Sequence, residues 1–198
     1  MVRVALSLLA GLLAASPLVA RAQSLPAGVS SYAPATQSPS SAWEARFGAG
    51  FSNPGGREDG LANLGADLLT PRVATLDDRF AAMLVPRFNL GTSLNLNGTR
   101  FAYAGATWTF DLASNVFLEA SLGAAVNDGK TGAIVPDNRL SLGCNTGARA
   151  AGALGFRLND RWSVVTTLEH FSTAGCSDRT GNTPRGPANI GARLGYTF

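Results

Sequence analysis

Short segments in which apolar residues alternate with polar or small ones recur along the chain between Trp43 and Phe198. Successive side chains of a β-strand point to opposite faces, so this alternation indicates strands with one apolar face. We predict eight strands, at 43–52, 62–72, 85–95, 101–112, 115–125, 146–158, 161–173 and 189–198, separated by Gly, Asn, Asp and Pro. Pro71 interrupts the second segment, which is the least regular of the set.

The two faces of the predicted strands differ in chemistry. In 189–198 the odd positions hold Asn, Gly, Arg, Gly and Thr, and the even positions hold Ile, Ala, Leu, Tyr and Phe. The segments 85–95 and 115–125 divide in the same way. A polar face toward the lumen and an apolar face toward lipid are typical of outer-membrane barrels. The sequence therefore predicts an all-β fold, an eight-stranded antiparallel transmembrane β-barrel with both termini on the periplasmic side.

The N-terminus has the pattern of a secretory signal peptide. Arg3 precedes a short apolar run, and Ala20-Arg21-Ala22 supplies a cleavage site of the A-x-A kind. The run is shorter than the roughly 20 residues that a spanning helix needs. We expect a signal peptide at 1–22, a flexible segment rich in Ser, Pro and Ala at 23–42, and the barrel at 43–198.

The exported chain is nearly neutral overall. Arg3 and Arg21 belong to the signal peptide, so their removal lowers the formal net charge from +3 to +1. Basic residues do not cluster, and nucleic acid is therefore not an expected partner.

The predicted interior nevertheless holds charges of both signs, and buried charges need partners. The candidates are Arg46, Arg87, Arg149, Arg157 and Arg193, with Glu44, Asp111, Glu119 and Glu169 as their counterparts. We interpret them as a structural network that fills the lumen, because eight strands leave little room for a pore.

The two cysteines, Cys144 and Cys176, occupy related positions. A tight turn at 159–161 joins the sixth and seventh predicted strands, and a register in which Leu158 faces Trp162 also places Cys144 opposite Cys176. Export permits disulfides, and the two thiols then meet just beyond the open end of the hairpin. We predict a disulfide that pins the loops at the outer rim; the alternative is two unpaired thiols at matching positions.

His170 is the single histidine of the chain, and it shares a strand face with Ser172. Both positions belong to the lipid-facing set of the seventh strand, because residues two apart point the same way. An imidazole beside a hydroxyl can take its proton as the oxygen attacks an ester. The pair lies near the outer end of the strand, so the expected substrate is a lipid ester of the outer leaflet. The alternative is that His170 is a polar interfacial residue without chemistry.

The sequence around this pair resembles a known family. Residues 164–175 read VVTTLEHFSTAG, which resembles the His-x-Ser-Asn-Ala-Gly signature of the PagL-type lipid A 3-O-deacylases, also grouped as acyloxyacyl hydrolases. The similarity extends to 103–111, 117–123, 142–144 and 189–198 and covers roughly residues 85–198. It implies an eight-stranded barrel and a serine hydrolase, without metal or other cofactor, that removes the ester-linked acyl chain at the 3-position of lipid A. Ser172 then resembles the nucleophile and His170 the general base.

The resemblance suggests an oxyanion hole and leaves the third catalytic residue open. Thr173 stands where the family has Asn, so the backbone amides of Thr173 and Gly175 are the expected donors. The family's acid on the last strand is replaced by Ala188, which has the right parity and no suitable chemistry. Asn189 is the expected orienting residue if a bulge turns it outward, and Asp178 in the preceding loop is the other candidate.

Three functions stay open on these grounds. The first is the lipid A deacylase, either weakened by a non-standard third residue or inactive. The second is a non-enzymatic small barrel, an adhesin or structural protein, and the third is another lipid esterase such as a phospholipase. The expected partners are lipopolysaccharide and the other lipids of a Gram-negative outer membrane, and the oligomeric state, monomer or homodimer, is open.

Overall fold

The computed structural model describes residues 42–54, 58, 60, 62–96, 98–131, 139–140, 142–173, 176 and 186–198. The predicted signal peptide and most of the segment that follows it lie outside these residues, as do Gly175 and Asp178. Within the described part of the chain, no helix has the length and apolar character that crossing a membrane requires.

Eight antiparallel strands close into a barrel in which each strand pairs with its neighbours in sequence and the last pairs with the first. The strands are β1 (Glu44–Ser52), β2 (Ala62–Arg72), β3 (Arg87–Asn95), β4 (Arg100–Asp111), β5 (Val116–Asn127), β6 (Thr146–Arg157), β7 (Trp162–Ser172) and β8 (Ala188–Thr197). The predicted fold is confirmed, and each predicted strand end lies within two residues of the observed one.

Pro71 distorts β2 without ending it. The strand keeps its predicted length, and its register with β3 shifts between Leu69 and Arg72. Proline has no N–H to contribute to the ladder, which is why it is confined to edges and irregular positions. The Thr70 hydroxyl accepts a hydrogen bond from the Phe88 N–H at 3.0 Å and so compensates locally.

The short helix α1 (Arg79–Leu84) connects β2 and β3 and is not among the predicted elements. Its N-cap is Asp78, whose carboxylate accepts a hydrogen bond from the Ala81 N–H at 2.7 Å. Such a cap satisfies a backbone donor that the first helical turn leaves free. Val85 adopts an extended conformation, so the helix ends before Pro86.

The strand ends define two rims. Glu44 pairs with Thr197, so the first and last strands share one end of the barrel, which we call the terminal rim. The connection that contains α1 and the turns at 112–115 and 158–161 lie at this rim. The opposite end, the loop rim, is formed by the strand ends at Ser52, Asn95, Asn127, Ser172 and Ala188.

The predicted alternation of faces is present in the barrel. In β7 the odd positions from Ser163 to Phe171 are buried and the even positions from Trp162 to His170 are exposed. The outward set of the barrel is mostly apolar and includes Phe47, Phe51, Leu68, Leu90, Leu122, Leu168 and Leu194. The polar face therefore points into the lumen and the apolar face points away from it.

Buried ion pairs fill the terminal half of the lumen. The Arg46 guanidinium contacts Glu119 Oε2 at 2.6 Å and Glu44 Oε1 at 2.8 Å, and Arg87 Nη1 contacts Glu44 Oε2 at 2.8 Å. Arg157 Nη2 lies 2.5 Å from Asp111 Oδ1 nearer the rim. These pairings match the predicted counterparts, and each buried charge is compensated as its desolvation requires.

A second ion-pair network crosses the middle of the lumen around Glu169. Its Oε1 lies 2.5 Å from Arg149 Nη2 and 2.8 Å from Arg193 Nη2. Arg193 also pairs with Asp67, a lumen residue outside the predicted network. The alternation of faces along β2 places Asp67 in the lumen, because it lies on the same inward face as Asn63.

An apolar cluster closes the lumen beneath the loop rim. It consists of Phe101, Tyr103, Ala125, Leu140, Leu142 and Phe171, and the rings of Phe101 and Phe171 stack at 4.1 Å between centroids. Above it, the Glu58 carboxylate accepts hydrogen bonds from the Thr99 N–H at 2.8 Å and the Leu140 N–H at 3.1 Å. The interpretation of the interior as packed structure is consistent with these contacts.

The predicted disulfide is present. The register of β6 and β7 pairs Ala148 with Ser172, and the Leu158 N–H donates to the Trp162 carbonyl at 2.8 Å in the turn. The same register carries Cys144 to Cys176, whose Cα atoms lie 5.9 Å apart across the bond. The bond links the segment before β6 to the segment after β7 at the loop rim.

Candidate active site

His170 and Ser172 lie on the outward face of β7 at the loop rim. His170 is exposed and Ser172 is half-buried. The two Cα atoms are about 6.6 Å apart along the strand, because a strand rises about 3.3 Å per residue. The structure thus brings the two residues to one face, as the sequence indicates.

Two inward anchors determine the face on which the pair lies. Phe171, between the two residues, is 2% exposed and stacks on Phe101 in the apolar cluster. Glu169, just before His170, is buried and holds two arginines. A slip of one position would move both anchors out of the lumen, since a strand reverses every side chain on such a shift. The outward direction of His170 and Ser172 is therefore strongly specified.

The backbone around Ser172 is closely confined by its neighbours. A Cβ atom on Gly147 of β6 would clash with the Ser172 carbonyl oxygen, and one on Gly186 would clash with the Phe171 carbonyl oxygen. Only glycine permits such a close approach of chains. The Phe171 N–H also donates to the Pro187 carbonyl at 3.0 Å, which holds the end of β7 to the chain that enters β8.

Thr173 and Cys176 are the first described residues after Ser172. Thr173 is buried, and its carbonyl accepts a hydrogen bond from the Cys176 N–H at 3.0 Å. Its hydroxyl has no hydrogen-bond partner among the described residues. Cys176 is also held by its disulfide to Cys144. Of the two expected oxyanion donors, Thr173 is buried next to Ser172, and Gly175 lies outside the described residues.

Asn189 does not reach His170, and this corrects the expectation that a bulge turns it outward. It is buried in the lumen, where its side-chain amide donates to the Ser93 hydroxyl at 2.9 Å. The ladders of β8 with β1 and β7 run in regular register through this position. Without a bulge, the alternation of faces directs Asn189 away from the outer surface.

The outward neighbours of His170 are alanines on both sides. His170 pairs with Ala150 of β6 and with Ala188 of β8, and Ser172 pairs with Ala148. Of the residues described on these two strands, none beside His170 carries a carboxylate. Ala188 occupies the cross-strand position from which an acidic side chain would contact the imidazole. The other candidate for the third residue, Asp178, lies outside the described residues.

The described residues contain no group of three or more His, Cys, Asp and Glu side chains placed to hold a metal ion. The side chains directly opposite His170 and Ser172 on the neighbouring strands are small and apolar.

No protein-family model matches the chain, and no curated protein matches it. Solved structures with similar folds include the outer membrane enzyme PagL, with a TM-score of 0.56 and 16% identity over 77% of this chain and 97% of PagL. The N-terminal β-barrel domain of Pseudomonas aeruginosa OprF has a TM-score of 0.50 and 13% identity, over 80% of this chain and 98% of that domain. A de novo designed transmembrane β-barrel has a TM-score of 0.50 and 9% identity, over 80% and 96% of the two chains. At these identities the chain shares with them the eight-stranded barrel fold.

Proposed function

We propose that this protein is a serine esterase of the Gram-negative outer membrane that hydrolyses the ester-linked acyl chain at the 3-position of lipid A. One observation carries the proposal: a histidine and a serine share an outward face at the loop rim, within a surface that is mostly apolar. The resemblance of residues 164–175 to the deacylase signature supports this substrate class. The likeness in fold to an outer membrane enzyme agrees with it.

The outer surface supports a location in the membrane. Large apolar side chains such as Phe47, Phe51 and Leu90 point outward and are more than half exposed. Removal of one such side chain from water is worth roughly 1.5–3 kcal/mol, so a continuous band of them favours lipid over water strongly. The chain termini at the terminal rim then face the periplasm, and the loop rim with His170 faces the outer leaflet.

The proposed reaction begins when the Ser172 hydroxyl attacks the ester carbonyl of the substrate and His170 accepts the hydroxyl proton. The new bond gives a tetrahedral oxyanion, for which backbone amides after Ser172 are the candidate donors. The imidazolium returns its proton to the leaving 3-hydroxyl group of the sugar, and an acyl-enzyme remains. Water, deprotonated by His170, then releases the fatty acid and restores Ser172.

The test is to express the protein in a Gram-negative host whose lipid A retains its 3-position acyl chains and to weigh the extracted lipid A by mass spectrometry. We expect a species that lacks one 3-hydroxyacyl chain. Ser172→Ala and His170→Ala should each abolish it. Thr166→Ala is the matched control, because Thr166 is an outward hydroxyl of β7 that lies about 13 Å from His170 along the strand. Unchanged lipid A in the presence of a folded barrel would contradict the proposal.

The second candidate is a non-enzymatic small barrel, an adhesin or structural protein. The observation that favours it is the alanine pair that flanks His170, which leaves the imidazole without a visible orienting acid on β6 or β8. A third candidate, a phospholipase-type esterase, uses the same two residues on another lipid. Analysis of phospholipids from the same cells distinguishes these two candidates. Free fatty acid and lysophospholipid indicate a phospholipase-type esterase, whereas unchanged phospholipids and unchanged lipid A indicate a non-enzymatic barrel.

A further inference from the structure

The helix α1 lies against the outer wall of the barrel and not beneath its lumen. The Trp108 indole, which points outward from β4, donates from Nε1 to the Leu84 carbonyl at 3.1 Å. The base of the connection is closed by a hydrogen bond from the Val73 N–H to the Pro86 carbonyl at 3.2 Å. The connection therefore leaves the barrel, folds over its outside at the terminal rim and returns at β3.

The surface that α1 presents to its surroundings is apolar. Phe80 is 72% exposed and Leu84 is 53% exposed, and residues four apart share one face of a helix. Leu76, ahead of the helix, is exposed as well. The helix starts at Asp78, whose carboxylate is exposed and satisfies the first turn. One side of the connection is thus apolar, and the residue that caps the helix is charged. This pattern is typical of a segment at a membrane–water interface.

This apolar surface continues into the outer wall of the barrel. Phe88 near the start of β3 and Leu112 just after β4 are exposed at the same rim. The indole of Trp108 lies between α1 and β4, and tryptophan is enriched where a membrane meets water. The face formed by Phe80 and Leu84 is therefore an extension of the band that the proposed function assigns to lipid.

We propose that α1 is an interfacial helix that inserts Phe80 and Leu84 among the phospholipids of the leaflet at the terminal rim. This inference rests on the proposed membrane location of the barrel and adds a second lipid contact outside the strands. The occupant is phospholipid because the face is continuous with the lipid-facing band and lies at its edge. The helix then fixes the depth and tilt of the barrel and so the height of His170 and Ser172 at the opposite rim.

The test exploits the cysteine content of the chain. Its two cysteines are joined in a disulfide, so one introduced cysteine is the single reactive thiol. Phe80→Cys and Leu76→Cys are each labelled with an environment-sensitive dye, and the barrel is folded into vesicles of phosphatidylethanolamine and phosphatidylglycerol. Leu76→Cys leaves Phe80 and Leu84 in place, so it reports on the intact helix. Vesicles with phospholipids brominated near the carbonyl then show whether lipid quenches the dye.

Two matched positions bracket the result. Leu90→Cys on the outward face of β3 reports a strand inside the lipid band, and Asp160→Cys in the exposed turn after β6 reports water at the same rim as α1. We expect the Phe80 and Leu76 labels to be quenched comparably to the Leu90 label and the Asp160 label to be unaffected. Quenching at Leu90 without quenching at Phe80 and Leu76 overturns the inference alone. A Leu90 label that behaves as in water overturns the membrane barrel and the inference together.

Discussion

Replacing Ala188 by glutamate should raise the proposed esterase activity, because Ala188 faces His170 across the β7–β8 ladder. Cβ atoms of directly opposed residues in an antiparallel pair are about 4.5–5.5 Å apart. The two further carbons of a glutamate side chain carry its carboxylate to within hydrogen-bond distance of the imidazole. There it orients the ring and stabilises the imidazolium that forms when Ser172 gives up its proton.

The size of the effect follows from what such an acid contributes elsewhere. Loss of the acid from serine-hydrolase triads lowers kcat by about 10⁴-fold, so the gain from Ala188→Glu has that value as its upper limit. The cost to the barrel is small. Ala188 is the first residue of β8 at the loop rim, and a charge near the membrane interface costs about 0–1 kcal/mol, compared with about 2–4 kcal/mol at the midplane.

The assay is the fraction of lipid A that has lost its 3-position acyl chain, measured by mass spectrometry at matched amounts of folded protein. Ala188→Gln is the control for size and hydrogen bonding, because it has nearly the same shape without the charge. The double variant Ala188→Glu with Ser172→Ala should be inactive. If Ala188→Glu folds and its activity equals that of Ala188→Gln, the idea that this position lacks only an acid is refuted.

Three predictions concern stability, measured as the free energy of unfolding in urea with the barrel in detergent micelles. The double variant Cys144→Ser with Cys176→Ser should lower the free energy of unfolding by about 3–4 kcal/mol, because the disulfide closes a loop of 32 residues. The untreated wild-type protein should also migrate faster on a gel than the reduced protein, and equal migration would contradict the disulfide. Phe171→Ala should lower the free energy of unfolding by about 3–5 kcal/mol, because it leaves a cavity next to Phe101, whereas Leu168→Ala on the outward face of the same strand should lower it much less. Equal losses of stability would refute the assignment of inward and outward faces. Glu169→Leu should lower the free energy of unfolding by about 3–5 kcal/mol, because it leaves the buried Arg149 and Arg193 without their shared carboxylate. An unchanged free energy of unfolding would contradict the prediction and mean that the two arginines find other partners.

The local sequence pattern was sufficient to predict the strands and the faces on which most of their side chains lie. The direction of a side chain alternates with the pleat of its own strand, so parity alone places His170 and Ser172 outside and Glu169 inside. The disulfide was also predictable, since one tight turn sets the register of β6 with β7 and carries it to Cys144 and Cys176. A hairpin is local in the chain, and its geometry extends to both of its ends.

Only the closed barrel decided which residues meet. Arg193 pairs with Asp67, although 126 positions separate them, because closure and stagger bring β2 and β8 to one level of the lumen. A bulge that turned Asn189 outward would interrupt the pairing of β8 with both β1 and β7. Both ladders are regular at this position, so the Asn189 amide lies in the lumen and donates to Ser93. The sequence by itself thus determined the outward pair of His170 and Ser172 and the alanine in place of an acid on β8. The inward position of Asn189 and the position of α1 against β4 follow from contacts that form only when the barrel closes.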